Sequence, residues 1–315
     1  MKYTEDRMKL ALVEGQGLGI VRDDLVIDAS VLVASYKAKT NQELVEAVIK
    51  DFGALQAPLE ELEKSGTGRP LSEARLQAPV PRPGKIIAMG ANYLEGTDGP
   101  PLPIWSFFKS PESILGPGGT VELPDVDARV FHHEPELVLV IGRECRNVTP
   151  QDALDYVFGY TVGIDVSGRF PVLQQSLFNK SHDTFAPIGP WIVTAEEIDD
   201  PQNLRIRLWV DDQPRHDFST SDMGHRIREC IAYISAVTPL LPGDLVFTGT
   251  NHQGIGPIQD GETVTVEIEQ VGRLVVKVKD PLKRRWPKRI DDEMPARIRR
   301  MIKEGTPPGG VSAHR

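Results

Sequence analysis

Two glutamates at the start of an apolar segment are the first residues of this sequence whose types and spacing could do chemistry. Glu134 and Glu136 lie in the stretch FHHEPELVLVIG, residues 131–142. In a β-strand, side chains two positions apart point to the same face, so both carboxylates would lie side by side. Neighbouring carboxylates repel each other, and an ionised carboxylate is costly to bury without a partner. The pair therefore indicates either a solvated strand end or a site for a cation.

A third acid favours the cation. Asp165 follows the apolar segment YTVGI, at the point where a predicted strand ends. Carboxylate oxygens suit hard divalent cations, and Mg²⁺ keeps coordination positions free for water or substrate oxygens. The three acids together predict a site for Mg²⁺ or Mn²⁺, with Ca²⁺ as a further candidate.

The composition is that of a globular protein with an ample apolar core. Hydrophobic residues make up 40% of the 315 residues and charged residues 26%, both ordinary values. The formal net charge of −9 argues against a general nucleic-acid binder, which would present a basic surface. We expect no membrane span and no signal peptide, because no apolar run is long enough for either. With two distant cysteines, Cys145 and Cys230, we expect a reduced, cytoplasmic protein.

The domain organisation is predicted from a cluster of prolines. Residues 8–28 predict two or three short strands, and residues 44–66 have a helical period. The segment LQAPVPRPGK then reads as a linker. We therefore expect a small N-terminal domain over residues 1–78 and a larger, strand-rich domain over residues 79–281.

Further along the chain, two more helices and a lid are predicted. One helix would cover residues 147–158 with Thr149 as its N-cap, and another would follow Ser221 as N-cap within residues 221–237. The loop EGTDGPPLP, residues 95–103, has the composition and length of a lid.

The chain closes with a strongly basic extension, residues 282–315. Because the rest of the protein is acidic, we predict that this extension packs on the body of the protein or on a partner subunit. Its last ten residues, TPPGGVSAHR, are predicted to be disordered.

From about Val80 to Asp280 the sequence resembles the fumarylacetoacetate hydrolase family. The resemblance is carried, in the family's order and spacing, by PRPGKIIAMGANY, FFKSPESILGPGG, HEPELVLVIG, ALDYVFGYTVGIDVSGR, KSHDTFAPIGPW and LLPGDLVFTGT. It implies a β-rich α+β fold: a mixed β-sandwich roll like the family's C-terminal domain, preceded by a small N-terminal α+β domain. It also implies a homodimer.

The resemblance implies a metal-dependent enzyme of aromatic catabolism that acts on a small 2-oxo or diketo acid. Glu134, Glu136 and Asp165 match the family's ligands for Mg²⁺ or Mn²⁺. A bound cation acts as a Lewis acid and stabilises the enolate that leaves when a C–C bond breaks. Hydrolysis of a 2,4-dioxo acid, such as an acylpyruvate, is the first expectation.

The resemblance also implies roles for five further residues of this chain. Lys180 matches a lysine that faces the substrate, and an ammonium there would stabilise developing negative charge. Arg169 and Thr250 match positions that contact the substrate's carboxylate. Tyr93 and Lys109 match positions that line the pocket.

The sequence departs from the family at the lid. The family's hydrolases carry a histidine and a glutamate there, and this chain has Gly96 and Gly99 at those positions. Two histidines stand instead at unexpected places: His182 replaces a phenylalanine, and His252 follows the GTN tripeptide. We therefore expect one of these two histidines to be the general base.

Three alternatives remain open at this point. The chain could be a hydrolase, a decarboxylase or isomerase that needs no water-activating pair, or a non-catalytic family member. The carboxylates of Glu95 and Asp98 are further candidates for proton transfer, whereas strand alternation turns His133 away from the acids. The hydrolase is ranked first because most of the family has that activity, which is an analogy.

Overall fold

Strands supply most of the regular structure in the computed structural model, which describes residues 8–171 and 175–305. The strands, in chain order, are β1 (Lys9–Val13), β2 (Gly17–Arg22), β3 (Leu25–Asp28), β4 (Gly68–Pro70), β5 (Leu76–Gln77), β6 (Ile86–Met89), β7 (Ser106–Lys109), β8 (Ile114–Leu115), β9 (Thr120–Glu122), β10 (Val130–His132), β11 (Pro135–Ile141), β12 (Val157–Ile164), β13 (Ser167–Arg169), β14 (Ala186–Thr194), β15 (Arg205–Val210), β16 (Gln213–Ser219), β17 (Leu245–Phe247), β18 (Thr263–Ile268) and β19 (Gly272–Lys279). The α-helices are α1 (Ser30–Val33), α2 (Asn41–Lys50), α3 (Phe52–Ser65), α4 (Ser176–Lys180), α5 (Ile227–Val237) and α6 (Glu293–Glu304). The predicted β-rich α+β class is confirmed.

Two sheets share the main core. The larger sheet has the strand order β4-β3-β2-β1-β14-β12-β11-β17-β6-β7, with β5 beside β1 and β8 beside β14. The smaller sheet has the order β16-β15-β18-β19-β9, and β10 and β13 form a separate ribbon. Side chains from both sheets belong to one buried cluster, which includes Leu137, Val162, Leu208 and Val266. This packing of two sheets agrees with the sandwich-like roll that the resemblance implies.

The N-terminal strands continue the larger sheet instead of forming one of their own. β1 pairs antiparallel with β14, and Leu10 lies opposite Ile192. A second buried cluster contains side chains from both sides of the predicted linker, among them Leu12 and Phe247, and α2 and α3 contribute to it. One sheet and one apolar cluster thus cross residue 78, and a division of the chain into domains there stays a prediction.

The helix predicted over residues 147–158 is wrong. The segment contains only the 3₁₀ turn Ala153–Tyr156, because the chain enters β12 at Val157 and leaves no room for a longer helix. Thr149 does not cap a helix: its hydroxyl donates a hydrogen bond to Oδ2 of Asp152 at 2.8 Å and closes a turn.

The other helix predictions need their boundaries corrected. α5 begins at Ile227, after Arg226, whose backbone N–H donates to Oε2 of Glu229 at 2.7 Å. Ser221, the predicted N-cap, lies in a 3₁₀ turn before the helix. The helical period over residues 44–66 belongs to two helices, α2 and α3, which are separated at Asp51.

The basic extension packs on the body of the protein, as predicted. Arg284 donates to two backbone carbonyl oxygens of the segment that precedes β10, at 2.7 and 2.9 Å. α6 buries Ile298 and Ile302. Residues 306–315, where disorder was predicted, lie outside the described residues.

A chain truncated after Asp280 is expected to melt several degrees below the full chain, because it exposes the apolar surface that the extension covers. Burial of an isoleucine side chain contributes about 1.5–3 kcal/mol, and each kcal/mol corresponds to roughly 2–4 °C in a large domain. Thermal unfolding and sedimentation measure the effect. Equal mass, solubility and melting temperature in the two chains would show that the extension is only a solvated appendage.

Candidate active site

The three predicted acids converge at the ends of two central strands. Every residue of β11 and β12 is buried, which explains their near-continuous apolar sequences. Their antiparallel register places Glu136 opposite Gly163, and the backbone N–H of Asp165 donates to the carbonyl oxygen of Glu134 at 2.8 Å. One carboxylate oxygen from each acid lies within 4.8 Å of the other two. Local strand pairing therefore gathers three buried carboxylates around one point.

The two glutamates have different electrostatic surroundings. Burial alone would raise the pKa of Glu134, but Lys180 and Arg169 hold it well below its usual range. Burial and the charges of Asp165 and Glu134 raise the pKa of Glu136 well above its usual range. Glu136 is thus the acid whose ionised form is most in need of a positive charge.

A divalent cation suits this set of residues. The side chain of Glu136 accepts one hydrogen bond, from the backbone N–H of Gly249 to Oε2 at 2.6 Å. The ion pairs of the site go to Glu134 and Asp165 instead. Among the residues that the structure describes, Glu136 makes no ion pair, and it lies beside two further buried carboxylates; such an oxygen-only donor set is the kind that Mg²⁺ and Mn²⁺ take.

Two lysines flank the acids, Lys109 buried and Lys180 partly buried. Nζ of Lys180 lies 2.6 Å from Oε2 of Glu134 and 2.6 Å from Oδ2 of Asp165. Nζ of Lys109 lies 2.5 Å from Oδ1 of Asp165 and also donates to the carbonyl oxygen of Lys180. Burial would lower the pKa of Lys180, but Asp165 and Glu134 outweigh it and raise the pKa. For Lys109 burial prevails, and the pKa is lowered.

Three further residues that the family resemblance assigns to the site, Arg169, Thr250 and Tyr93, lie on segments near the acids. Arg169, at the end of β13, donates from its guanidinium to Oε1 of Glu134 at 2.6 Å. Thr250 is buried and follows Gly249, whose φ of +89° requires a glycine. Tyr93 is buried, and burial and the charge of Glu136 raise its pKa well above the usual value. These three residues surround the acids from three different segments.

Comparison with known proteins agrees with this arrangement. The sequence model described as "Fumarylacetoacetate (FAA) hydrolase C-terminal" matches residues 85–279. The chain belongs to the fumarylacetoacetate hydrolase family. The predicted family is thereby confirmed.

Three relatives define what this family member is similar to. A maleylpyruvate hydrolase from Aquipseudomonas alcaligenes is 34% identical over 291 residues, which are 86% of this chain and 99% of the relative. The crystal structure of maleylpyruvate hydrolase from Sphingobium sp. SYK-6 in complex with manganese (II) ion and pyruvate is 38% identical, with a TM-score of 0.78 over 87% of this chain and 99% of that chain. A 4-hydroxyphenylacetate degradation bifunctional isomerase/decarboxylase from Escherichia coli is 37% identical over 207 residues, 63% of this chain and 48% of the relative. All three relatives are enzymes.

In this fumarylacetoacetate hydrolase family member, Glu95 of the predicted lid pairs with His252 of the loop after β17, a contact that no local pattern predicts. Nδ1 of His252 lies 2.7 Å from Oε1 of Glu95, and the backbone N–H of His252 donates to both carboxylate oxygens of Glu95, at 3.0 and 2.9 Å. Both side chains are buried. Asp98, the other lid carboxylate considered from the sequence, is exposed. The pair joins the lid to the loop after β17.

The two lid glycines, Gly96 and Gly99, are each unfavourable places for a larger side chain, for different reasons. A Cβ added at Gly99 would lie 2.7 Å from Cγ2 of Ile302 in α6, so this side chain would have to move. Gly96 has a φ of +66°, which disfavours any other residue. The backbone at Gly96 and the packing at Gly99 thus favour glycine at these two positions.

The other candidate base, His182, lies in an aromatic cluster. Its ring centroid is 5.1 Å from that of Phe185, 5.3 Å from that of Phe178 and 5.9 Å from that of Phe170. Burial lowers its pKa. These neighbours are those of a side chain that packs in the place of a phenylalanine.

Two histidines near the acids are bound to other groups. Nδ1 of His133 lies 3.2 Å from Nε2 of His216. His132, which sequence reasoning missed, has its Nδ1 3.3 Å from Nε of Arg169. His132 stands two positions before Glu134, and this spacing is the signal by which it could have been found, although β10 ends at His132 and β11 begins at Pro135.

Proposed function

We propose that the protein is a divalent-metal-dependent hydrolase that cleaves a C–C bond in a 2,4-dioxo acid of the acylpyruvate type. The observation that carries the proposal is the meeting of the three buried acids with Lys180, Arg169 and the His252–Glu95 pair. Similarity to maleylpyruvate hydrolases over 86–87% of the chain supports it.

Glu134, Glu136 and Asp165 would hold Mg²⁺ or Mn²⁺. The manganese ion in the Sphingobium relative supports this choice, and Ca²⁺ is the third candidate because it also takes oxygen ligands. When bound, the cation supplies Lewis-acid polarisation of the substrate's oxygen atoms. Lys109 orients Asp165 through the 2.5 Å contact between Nζ and Oδ1.

The basic and hydroxyl side chains select and orient an anionic substrate. Arg169, whose side chain is 21% exposed, can donate a fork of hydrogen bonds to a carboxylate. Thr250 supplies a hydroxyl for the same carboxylate, and Tyr93 lines the pocket. The ammonium of Lys180 stabilises the negative charge that develops on the substrate during cleavage.

His252 is the group we assign as general base. Its Nδ1–H donates to Glu95, so Nε2 carries the lone pair that takes a proton from water. The resulting hydroxide adds to the C4 carbonyl, the C3–C4 bond breaks, and its electron pair goes to the pyruvate enolate. Protonation at C3 then gives pyruvate, and the acyl half leaves as a carboxylic acid. The aromatic surroundings of His182 make it the weaker candidate.

The test of this function is product identification in ¹⁸O-labelled water. The Mn²⁺-loaded protein is incubated with a panel of 2-oxo and 2,4-dioxo acids, and products are identified by mass spectrometry. We expect pyruvate and a carboxylic acid that carries one ¹⁸O from water. Loss of CO₂ or a product of unchanged mass, without such incorporation, would contradict the hydrolase.

A decarboxylase or isomerase is the second candidate function. Two observations favour it: the similarity to the E. coli isomerase/decarboxylase, and the absence of side chains at the family's usual lid positions. Loss of CO₂ or conversion to an isomer, in the same panel, would support it. A non-catalytic role, the third alternative, is disfavoured by the presence of all three acids and Lys180.

A homodimer is the assembly we propose, and we expect Phe108→Glu to dissociate it. β7 is an edge strand of the larger sheet, Phe108 on it is 58% exposed, and Leu177 on the adjacent α4 is 72% exposed. Exposed apolar residues beside an edge strand are typical of an interface. Val31→Glu, at an equally apolar and 74% exposed site, is the control. A wild-type monomer in sedimentation, or a dimer that survives Phe108→Glu, would contradict this interface.

A cytoplasmic location stays a prediction. Cys145 and Cys230 are both free and buried, which supports a reducing compartment. Within the described residues no helix is both long and apolar enough to cross a membrane.

A further inference from the structure

The C-terminal extension contacts His132, close to the acids, and Leu102 of the predicted lid. The family model ends at residue 279, and the two maleylpyruvate hydrolases match only 86–87% of this chain. Residues 282–305, which we call the strap, run from the end of β19 past the site to the lid. The strap is therefore an addition to the part of the fold that the family model describes.

A line of polar contacts connects the strap to the metal-site acids. Oδ2 of Asp291 lies 3.3 Å from Nε2 of His132. Nδ1 of His132 lies 3.3 Å from Nε of Arg169, and the guanidinium of Arg169 reaches Oε1 of Glu134 at 2.6 Å. Nε2 of His132 makes no hydrogen bond of good geometry among the described residues, and the contact with Asp291 is its nearest ion-pair contact there. Three contacts, through His132 and Arg169, thus connect Asp291 to Glu134.

The chemistry of these groups fixes the direction of each contact. Nε of Arg169 can only donate, so Nδ1 of His132 must accept and carry the lone pair. In a neutral imidazole the proton is then on Nε2, which points it at the carboxylate of Asp291. The carboxylate therefore selects the imidazole tautomer that can hold the Arg169 side chain.

The strap also packs on the lid. Ile298 and Ile302 of α6 form a small apolar cluster with Leu102 of the lid, apart from the main core. The backbone N–H of Asp291 donates to the carbonyl oxygen of Ile255 at 2.7 Å, which anchors the strap beside the loop that carries His252. The apolar cluster with Leu102 and the hydrogen bond to Ile255 thus restrict the position of the Asp291 backbone.

We propose that Asp291 is a positioning residue of the substrate site: through His132 it orients the guanidinium of Arg169 toward the carboxylate of a bound 2-oxo acid. The inference rests on the proposed role of Arg169. In this proposal the strap contributes to substrate binding, whereas the three acids and His252 act in the chemical step.

The variant that separates this role from a structural one is Asp291→Asn. Oδ1 of Asp291 accepts hydrogen bonds from the backbone N–H groups of Glu293, at 3.0 Å, and Met294, at 3.4 Å, and the amide oxygen of asparagine can keep both. The amide NH₂ of the asparagine then replaces Oδ2 and faces the Nε2–H of His132, so that two hydrogen-bond donors meet. Asp292→Asn is the matched control, because Asp292 is exposed and makes no side-chain cap contact.

We expect Asp291→Asn to raise KM for the 2,4-dioxo acid about 10-fold with kcat within about 2-fold, as for an interaction that serves binding. The Kd of pyruvate for the Mg²⁺-loaded protein should rise by a similar factor, and Asp292→Asn should change neither value. In an Arg169→Met background, Asp291→Asn should have no further effect, because the group that it orients is absent.

Two results would overturn the proposal. One is an equal rise in KM in the Arg169→Met background, which would mean that Asp291 acts through general stability. The other is ¹⁵N NMR of the histidine-labelled protein that shows His132 protonated on Nδ1 in the wild type, or an unchanged tautomer in Asp291→Asn. The NMR readout needs no substrate, so it tests the strap even if the protein proves inactive on every dioxo acid.

Discussion

Replacing Glu136 by Gln is expected to abolish retention of the divalent cation. Within the described part of the chain, Glu136 is the acid of the triad that makes no ion pair with a lysine or arginine, and a neutral amide is a weaker ligand for a hard cation than a carboxylate. Elemental analysis after dialysis measures the effect, with a fall from about one ion per chain to nearly none. Glu122→Gln, an exposed glutamate paired with Lys279, is the control for loss of one charge.

The same variant makes a second measurement informative. Glutamine can still accept the hydrogen bond from Gly249, so the substitution removes mainly the buried charge. Because a raised pKa means that ionised Glu136 is disfavoured in the folded state, the metal-free variant should be at least as stable as the metal-free wild type. Full metal content would show that Glu136 is not a ligand. A metal-free variant less stable by about 1 kcal/mol or more would contradict the electrostatic account.

Replacing His252 by Asn is expected to lower kcat by about 10²-fold or more, the usual size of a general acid–base contribution, with metal content unchanged. The asparagine amide can keep the contact with Glu95 but has no basic nitrogen at the position of Nε2. Glu95→Gln should lower kcat less, because its amide oxygen still accepts the Nδ1–H but no longer stabilises the protonated imidazole. Rates on the identified substrate and elemental analysis provide the measurements.

The control for this prediction is His182→Asn, which removes an imidazole from the aromatic cluster. We expect kcat within a few-fold of the wild type, because the rings of Phe178 and Phe185 surround that side chain. Wild-type kcat in both histidine variants would contradict the assignment of the base, and the lid carboxylates Glu95 and Asp98 would become the leading candidates.

The parts of the site that the sequence predicts are those set by short-range periodicity. The two-residue spacing of Glu134, just before β11, and Glu136, within it, brings these acids together, and the end of β12 places Asp165 beside them. The Glu95–His252 contact joins residues 157 positions apart, and neither residue has a local pattern that indicates the other. His132 could be predicted from its spacing to Glu134, whereas its partner Asp291 could not.

The failed helix prediction has the same physical basis. Thr149 and Pro150 are favourable helix-start residues, but such signals contribute only about 1 kcal/mol each. The strand that begins at Val157 is buried along its whole length between two others, and that burial prevails over local capping. Similarly, the large sheet recruits the N-terminal strands across the proline-rich segment, because an exposed edge of β14 would be costly.

The close approach of Gly99 to Ile302 has a consequence for the history of this lid. A glutamate side chain at position 99 and the isoleucine of α6 would compete for one volume, so a chain can have one or the other. Relatives with a C-terminal helix seated here should have a glycine at this lid position, and relatives with a glutamate there should lack such a helix. The residue at position 99 and the presence of a C-terminal helix like α6 are thus expected to covary among relatives, although the two segments are about 200 residues apart in the sequence.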